Sequence, residues 1–170
     1  MAKKKSSKKG FGLGKILYLV AAVLGVVAIV MLFVDNVKIP DTKFLGETIE
    51  GEGYAGTKVA FGFKEEDIAI FKFSFMGLLP YLLVVAGVVL TLVNAFAKKN
   101  NKILDYVAVV ALVVAGVLFF IMPNFVVCSD TVLGKIAAEI DYELAVGAIV
   151  AAICAIASGA VVLVKTLLKK

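Results

Sequence analysis

The sequence predicts an all-α membrane protein: a four-transmembrane-helix bundle with a small extracellular loop that contains a β-hairpin. Hydrophobic residues make up 62% of the 170 residues and charged residues 18%, whereas a soluble domain has about 45–50% and about 25%. So much apolar surface cannot be hidden inside a water-soluble domain of this size. Four segments have the length of about 20 residues that a helix needs to cross hydrocarbon, and they are uncharged apart from Lys15 at the edge of the first. These predicted spans are residues 15–34, 75–97, 106–127 and 144–164.

The lysines predict the orientation of the spans. Twelve lysines and one acid fall on one side, and six lysines and twelve acids fall on the other. Because an excess of lysine marks the cytoplasmic side, we expect both termini in the cytoplasm and a multi-pass protein of the plasma (cytoplasmic) membrane. The connecting segments are then a basic cytoplasmic N-terminus, a β-prone extracellular loop, a cytoplasmic loop, a second extracellular loop and a cytoplasmic tail: 1–14, 35–74, 98–105, 128–143 and 165–170.

The first span follows a run of lysines, as the apolar segment of a secretory signal peptide does. Its apolar stretch is longer than the ~7–15 residues of a signal peptide. The sequence that follows it, Phe33-Val34-Asp35-Asn36, is not a small-x-small cleavage site. We therefore expect an uncleaved anchor.

The first extracellular loop contains two β-prone runs. Apolar and small residues alternate from Val59 to Phe63, a four-residue polar turn follows, and a second run begins at Ile68. This pattern predicts a hairpin. Since a lone hairpin is marginal in water, we expect it either to pair with a third strand from Val37–Ile39 or Thr48–Glu50 or to lean on the helix ends. Its apolar side chains form a candidate interaction surface: Phe61, Phe63, Ile68 and Ile70. The loop is interpreted either as a platform for a ligand or partner or as a solubilising cap.

The second extracellular loop shows apolar residues at helical spacing between Val132 and Ile140. This periodicity predicts a short amphipathic helix at the outer interface or an outward extension of the fourth span. Ser129 or Asp130 is the expected cap at its start.

The fourth span carries small residues at every fourth position: Gly147, Ala151, Ala155 and Gly159. Such a ridge lets helix backbones approach closely in lipid, so we expect it to pack against another span. Short matching rows occur at Ala21 and Gly25 in the first span and at Ala111 and Ala115 in the third. Whether the neighbour belongs to the same chain or to a second copy stays open.

The composition excludes most site chemistry. The chain lacks His, Arg and Trp, which removes histidine acid–base catalysis, histidine metal sites and arginine contacts to phosphate or guanine. We expect no enzyme activity, no cofactor, no metal site and no nucleic-acid partner. Asp105 is interpreted as a carboxylate near the start of the third helix, Lys165 as part of the tail, and Tyr18, Tyr81, Tyr106 and Tyr142 as interfacial rings.

The order of segments is similar to that of the claudin-like tetraspan proteins. The resemblance covers the whole chain and is one of layout. The signature of that family in the first outer loop, W…G-L-W…C…C, is absent, because the chain has no Trp and no Cys between Asp35 and Ser74. The loop disulfide and the junction-forming or pore-lining roles of the family are therefore carried over to no residue. The lysine-rich, arginine-free composition is typical of an AT-rich bacterial genome.

These observations predict a small non-enzymatic integral membrane protein that acts by association. Its expected partners are the lipid bilayer and a second copy or another membrane protein. The alternative is a subunit of a transporter or channel, with a pore between copies. That alternative lacks support from charges within the predicted spans.

Overall fold

The computed structural model describes residues 12–44, 47–97 and 101–168. Within them, four helices are long and apolar enough to cross a membrane, each with a mean hydropathy between 2.4 and 3.0. The long helices are α1 (Leu13–Val30), α3 (Phe75–Phe96), α4 (Lys102–Phe120) and α6 (Val146–Leu168). The short helices are α2 (Gly56–Phe61) and α5 (Val132–Ala138), with 3-10 turns at Met31–Phe33 and Met122–Phe125.

The four long helices pack side by side, and each contacts two others. α1 packs against α3 and α6, and α4 packs against the same two helices. Alanines and glycines fill the contacts, and large apolar side chains such as Val23 and Val110 point outward with 62% and 61% of their surface exposed. The outward faces of these helices are therefore apolar, whereas those of a soluble helical protein are polar.

Glycines set the spacing between the long helices. A Cβ atom added to Gly87 on α3 would lie 2.6 Å from Leu112 Cγ on α4. One added to Gly116 on α4 would collide with the side chain of Ile156 on α6. The helix axes can therefore approach this closely only while these positions lack a side chain.

The small residues of α6 lie in these contacts. Gly147, Ala151, Ala155 and Gly159 are all buried, and a Cβ on Gly159 would touch Val113 and Leu112 of α4. On α1, Ala21 and Gly25 are buried, and the Ser158 hydroxyl of α6 donates to the Ala21 carbonyl at 2.7 Å. The neighbours of the ridge in this structure belong to the same chain.

All strands lie at one end of the long helices, here called the strand-bearing end. Strand β1 pairs antiparallel with β4 on one side and β7 on the other. Two separate hairpins are β2 with β3 and β5 with β6. The strand bounds are β1 Asp35–Lys38, β2 Thr42–Phe44, β3 Glu47–Ile49, β4 Gly53–Ala55, β5 Phe63–Glu65, β6 Ile68–Phe71 and β7 Glu143–Leu144.

The predicted hairpin is present but shorter than expected. Its turn is two residues, Glu66 and Asp67, both with positive φ, and the run from Val59 to Phe61 is part of helix α2 instead of a strand. Val59 and Ala60 are adjacent and both buried. A helix can place such neighbours toward one side, whereas a strand directs them to opposite faces.

The third-strand alternative for the hairpin and the predicted cap of α5 are wrong. Val37 pairs with β4 and β7, and Thr48 pairs with β2, so neither segment joins the β5–β6 hairpin. The hairpin leans instead on the segment before α5, where the Ser129 amide donates to the Ile70 carbonyl at 2.8 Å. Helix α5 is capped by Thr131, not by Ser129 or Asp130, because Thr131 accepts a bond from the Gly134 amide.

The third and fourth long helices differ from the predicted spans at their ends. Helix α4 begins at Lys102, where Asn101 caps it, and ends at Phe120, before Pro123. A proline disrupts continuation of the helical hydrogen-bond ladder, so the helix ends before the limit of the predicted span at residue 127. Helix α6 runs on to Leu168 and so includes Lys165, which the sequence had placed in a tail.

Leucine substitutions on the ridge test its packing. Ala155→Leu forces extra atoms into a fully buried site, which costs about 1–3 kcal/mol in a packed core. Gly147→Leu is expected to cost at least as much, since its Cβ would lie 2.6 Å from the Asp35 carbonyl oxygen. Thermal unfolding of the detergent-solubilised protein, followed by circular dichroism, measures both.

Ile153→Leu is the matched control, because Ile153 lies on the exposed face of the same helix. An unchanged unfolding midpoint in both ridge variants would show that the ridge does not set helix packing.

Candidate functional site

A buried polar network lies at the end of the long helices opposite the strands. It centres on the carboxylate of Asp105, in the first turn of α4. The partners of Asp105 come from each of the other three long helices: Tyr18 of α1, Asn94 of α3, and Lys165 and Thr166 of α6. We call these five residues the Asp105 network.

Both oxygens of the Asp105 carboxylate are engaged. Oδ1 accepts from the Tyr18 hydroxyl at 2.7 Å and from Asn94 Nδ2 at 2.5 Å. Oδ2 accepts from Lys165 Nζ at 2.8 Å, and the Thr166 hydroxyl lies 3.0 Å away. Lys165 also donates to the Tyr18 hydroxyl, and its ammonium lies 4.0 Å from the centre of the Tyr18 ring.

The ion pair of Asp105 and Lys165 is almost fully removed from solvent. The two side chains are 1% and 3% exposed. A buried charge is tolerated only when it is paired and hydrogen-bonded. Here Lys165 pairs with the Asp105 carboxylate, and Tyr18, Asn94 and Thr166 supply hydrogen bonds to it. The network therefore fastens the four helices to one another and leaves no carboxylate oxygen without a donor.

A second buried polar centre lies at the strand-bearing end. Asn36, at the start of β1, donates to the carbonyls of Met31 at 2.7 Å and Val34 at 2.6 Å. Its side-chain oxygen accepts from the Tyr81 hydroxyl of α3 at 2.9 Å. The Asn36 carbonyl accepts from the Ala145 amide, directly before α6, at 3.0 Å. This residue connects β1 to three of the long helices.

An aromatic cluster fills the interior of the strand-bearing end. Tyr54 and Phe71 meet edge to face with ring centres 4.9 Å apart, and Tyr142 meets Phe71 at 5.9 Å. Phe63 packs against the same rings, and the Lys58 ammonium lies 4.1 Å from the Phe63 ring centre. These contacts give the small strands a core of their own.

Cys128 lies beside this cluster as a free thiol. Burial raises the pKa of Cys128, and its hydrogen bond with Tyr142 acts in the opposite direction. Since the thiolate is the reactive form, a raised pKa makes a cysteine less nucleophilic at neutral pH. Cys154, on α6, is likewise a free thiol. Among the residues with described positions, no group of His, Cys, Asp and Glu is arranged to hold a metal ion.

The four residues of the predicted interaction surface do not share one environment. Phe61, at the end of α2, and Ile68, at the start of β6, are exposed by 58% and 42%. Ile70 is buried in the core, and Phe63 belongs to the aromatic cluster. Only Phe61 and Ile68 of this set offer surface to a partner.

Sequence reasoning missed the Asp105 network. It interpreted Asp105 as a carboxylate near a helix start, Lys165 as a tail lysine and Tyr18 as an interfacial ring, but these side chains all point inward and bond to one another. Tyr81 is also buried, with its hydroxyl on Asn36. The available signal was that Asn94, Asp105 and Thr166 lie beside predicted span ends on the same lysine-rich side.

No family model matches the chain, and comparison with curated proteins and with solved structures found no match. The four apolar helices themselves indicate a multi-pass membrane protein.

Variants of the ion pair test whether the Asp105 network fastens the helices. Lys165→Met leaves an uncompensated buried carboxylate, which costs about 3–5 kcal/mol. The double variant Asp105→Asn, Lys165→Met buries no charge, so we expect it to recover most of that loss. The measurement is the thermal unfolding midpoint in detergent of the wild-type protein, Lys165→Met and the double variant.

Lys102→Met, which removes an exposed lysine from the start of α4, should leave the unfolding midpoint unchanged. If the double variant unfolds at a lower temperature than Lys165→Met, removing the unpaired carboxylate has recovered no stability. The ion pair would then not be the interaction that fastens the helices.

Proposed function

We propose that the chain is a small non-enzymatic integral membrane protein that acts by association with itself, with lipid or with another membrane protein. Its four long helices form a transmembrane bundle, with the strand-bearing end outside the cell and the Asp105 network near the cytoplasmic surface. The claudin-like layout is part of the same proposal.

The outward faces of the long helices carry this proposal. Most of their large exposed side chains are valine, leucine, isoleucine and phenylalanine, and many of the residues buried between the helices are alanine and glycine. Water would not favour such a surface, because each exposed apolar side chain costs free energy there. Hydrocarbon removes that cost and leaves close helix packing as the source of association between the helices.

The charges support the proposed orientation. The ends joined at the Asp105 network belong to segments with twelve lysines and one acid, whereas the strand-bearing segments hold six lysines and twelve acids. An excess of lysine is typical of the cytoplasmic side.

Cysteine labelling in intact cells tests the orientation. In a background with Cys128→Ser and Cys154→Ser, Glu65→Cys places a thiol in the exposed β5–β6 hairpin, and Lys102→Cys places one at the start of α4. A membrane-impermeant maleimide should label the first in intact cells and the second only after permeabilisation. The reverse pattern would overturn the orientation, and labelling of both in intact cells would overturn the topology.

Exposed apolar residues at the strand-bearing end support association outside the bilayer. Besides Phe61 and Ile68, helix α5 presents Val132 and Ile136 with 76% and 55% of their surface exposed. Helix α5 packs on β6, because the Thr131 hydroxyl donates to the Ala69 carbonyl at 2.6 Å. A partner at this end could cover these exposed apolar side chains.

A paired substitution tests this surface. Phe61→Ser with Val132→Ser should reduce cross-linking of the protein to its copies or partners in native membranes, while Lys64→Ser, in the adjacent hairpin, should not. Undiminished cross-linking in the paired variant would contradict association through this end.

The alternative function is that of a transporter or channel subunit. The buried Asp105–Lys165 pair favours it, since ionisable groups within spans mark many ion pathways. Ion flux into liposomes that contain the protein, above that of empty vesicles, would support this alternative.

A further inference from the structure

A cleft of about 360 Å³ opens beside the Asp105 network, between the start of α1 and the ends of α3 and α6. Leu13, Leu17 and Leu168 supply apolar lining. Leu13 and Leu168 are 67% and 65% exposed, so the apolar lining continues onto the outer face of the helices. The shape suits a ligand with an apolar chain as well as a polar end.

The polar lining of the cleft is cationic. Lys15 and Lys165 both border it, together with Tyr18. The Lys15 side chain is exposed, and the Lys165 ammonium is held in place by Asp105 and Tyr18. The polar end of a ligand in this cleft would therefore meet the exposed Lys15 side chain, next to the buried ion pair of Lys165 and Asp105.

The charge of this end of the chain also favours an anion. In the sequence, the segments on this side of the predicted spans carry twelve lysines and a single acid, Asp105. Asp105 is already paired with Lys165. A negatively charged ligand thus meets an excess of positive charge on the side that faces the anionic leaflet in the proposed orientation.

We infer that this cleft binds one anionic phospholipid of the cytoplasmic leaflet. The phosphate lies beside Lys15 at the mouth of the cleft, and an acyl chain follows Leu13, Leu17 and Leu168 outward. Basic pockets between transmembrane helices on the cytoplasmic side bind anionic headgroups in this way. A soluble anion would leave the leucine lining unused. The inference rests on the proposed membrane insertion and orientation.

Two variants separate the cleft from a diffuse basic surface. Gly14 borders the cleft, and the nearest atom to a Cβ added there is Lys165 Cε at 4.0 Å. Gly14→Leu therefore fills the cleft without changing any charge. Lys15→Gln removes one charge and adds no bulk. Lys135→Gln, on exposed helix α5 at the other end, is the control for Lys15→Gln.

The test uses the full chain purified in a neutral detergent, with phosphatidylglycerol or phosphatidylcholine added. Native mass spectrometry counts bound lipid, and the thermal unfolding midpoint gives a second measure. We expect one phosphatidylglycerol to be retained in preference to phosphatidylcholine and to raise the midpoint. Lys15→Gln should lower the affinity about fivefold, Gly14→Leu should abolish the retained molecule, and Lys135→Gln should do neither. Inorganic phosphate alone should give no shift.

Equal retention of the two lipids by the wild-type protein would overturn the inference. Retention by Gly14→Leu at the wild-type level would assign the binding to a diffuse surface and overturn the cleft as the site, and a shift with inorganic phosphate would overturn the lipid as its occupant. These outcomes are distinct from failure of the proposed function, which the cysteine labelling reports independently in cells.

Discussion

Close approach of helix backbones at alanine and glycine is the constraint on which the rest of the structure depends. Gly87 leaves room for Leu112, and Gly116 leaves room for Ile156. Small residues fill much of the space between the helices, and many of the large apolar side chains face outward. The same choice of residues therefore brings the four helices together and gives the assembly a surface that suits hydrocarbon.

The two buried polar centres lie at opposite ends of this apolar interior, and between them Ser158 and Thr91 donate to backbone carbonyls. Asp105 of α4 collects donors from the other three long helices at one end, and Asn36 joins β1 to α3 and α6 at the other. In an apolar surrounding an unpaired polar group is costly, so each centre penalises any arrangement that separates its members. Among the described side chains, no buried polar atom lacks a partner. Fully apolar helices could slide past one another, and these centres fix their register.

Hydrophobicity predicted the four helices, and small-residue spacing pointed to the face of α6 that is buried. Both depend on local composition, which a single sequence displays. The partners of Asp105 lie 11 to 87 residues away in the chain, and no periodicity reveals such pairing. The run at Val59 was mistaken for a strand because alternation over a few residues also fits one turn of helix packed by Val59 and Ala60. The burial of Val59 and Ala60 against the rest of the protein determines that this segment is a helix.

Three of the long helices are connected to one small sheet. β1 follows α1 after a single 3-10 turn, its neighbour β7 leads into α6, and Asn36 holds α3 through Tyr81. A displacement of this sheet would therefore be transmitted to α1, α3 and α6 together. The long-helix contacts with the least clearance, Gly25 against Val88 and Gly116 against Ile156, would resist any change in the spacing of these helices.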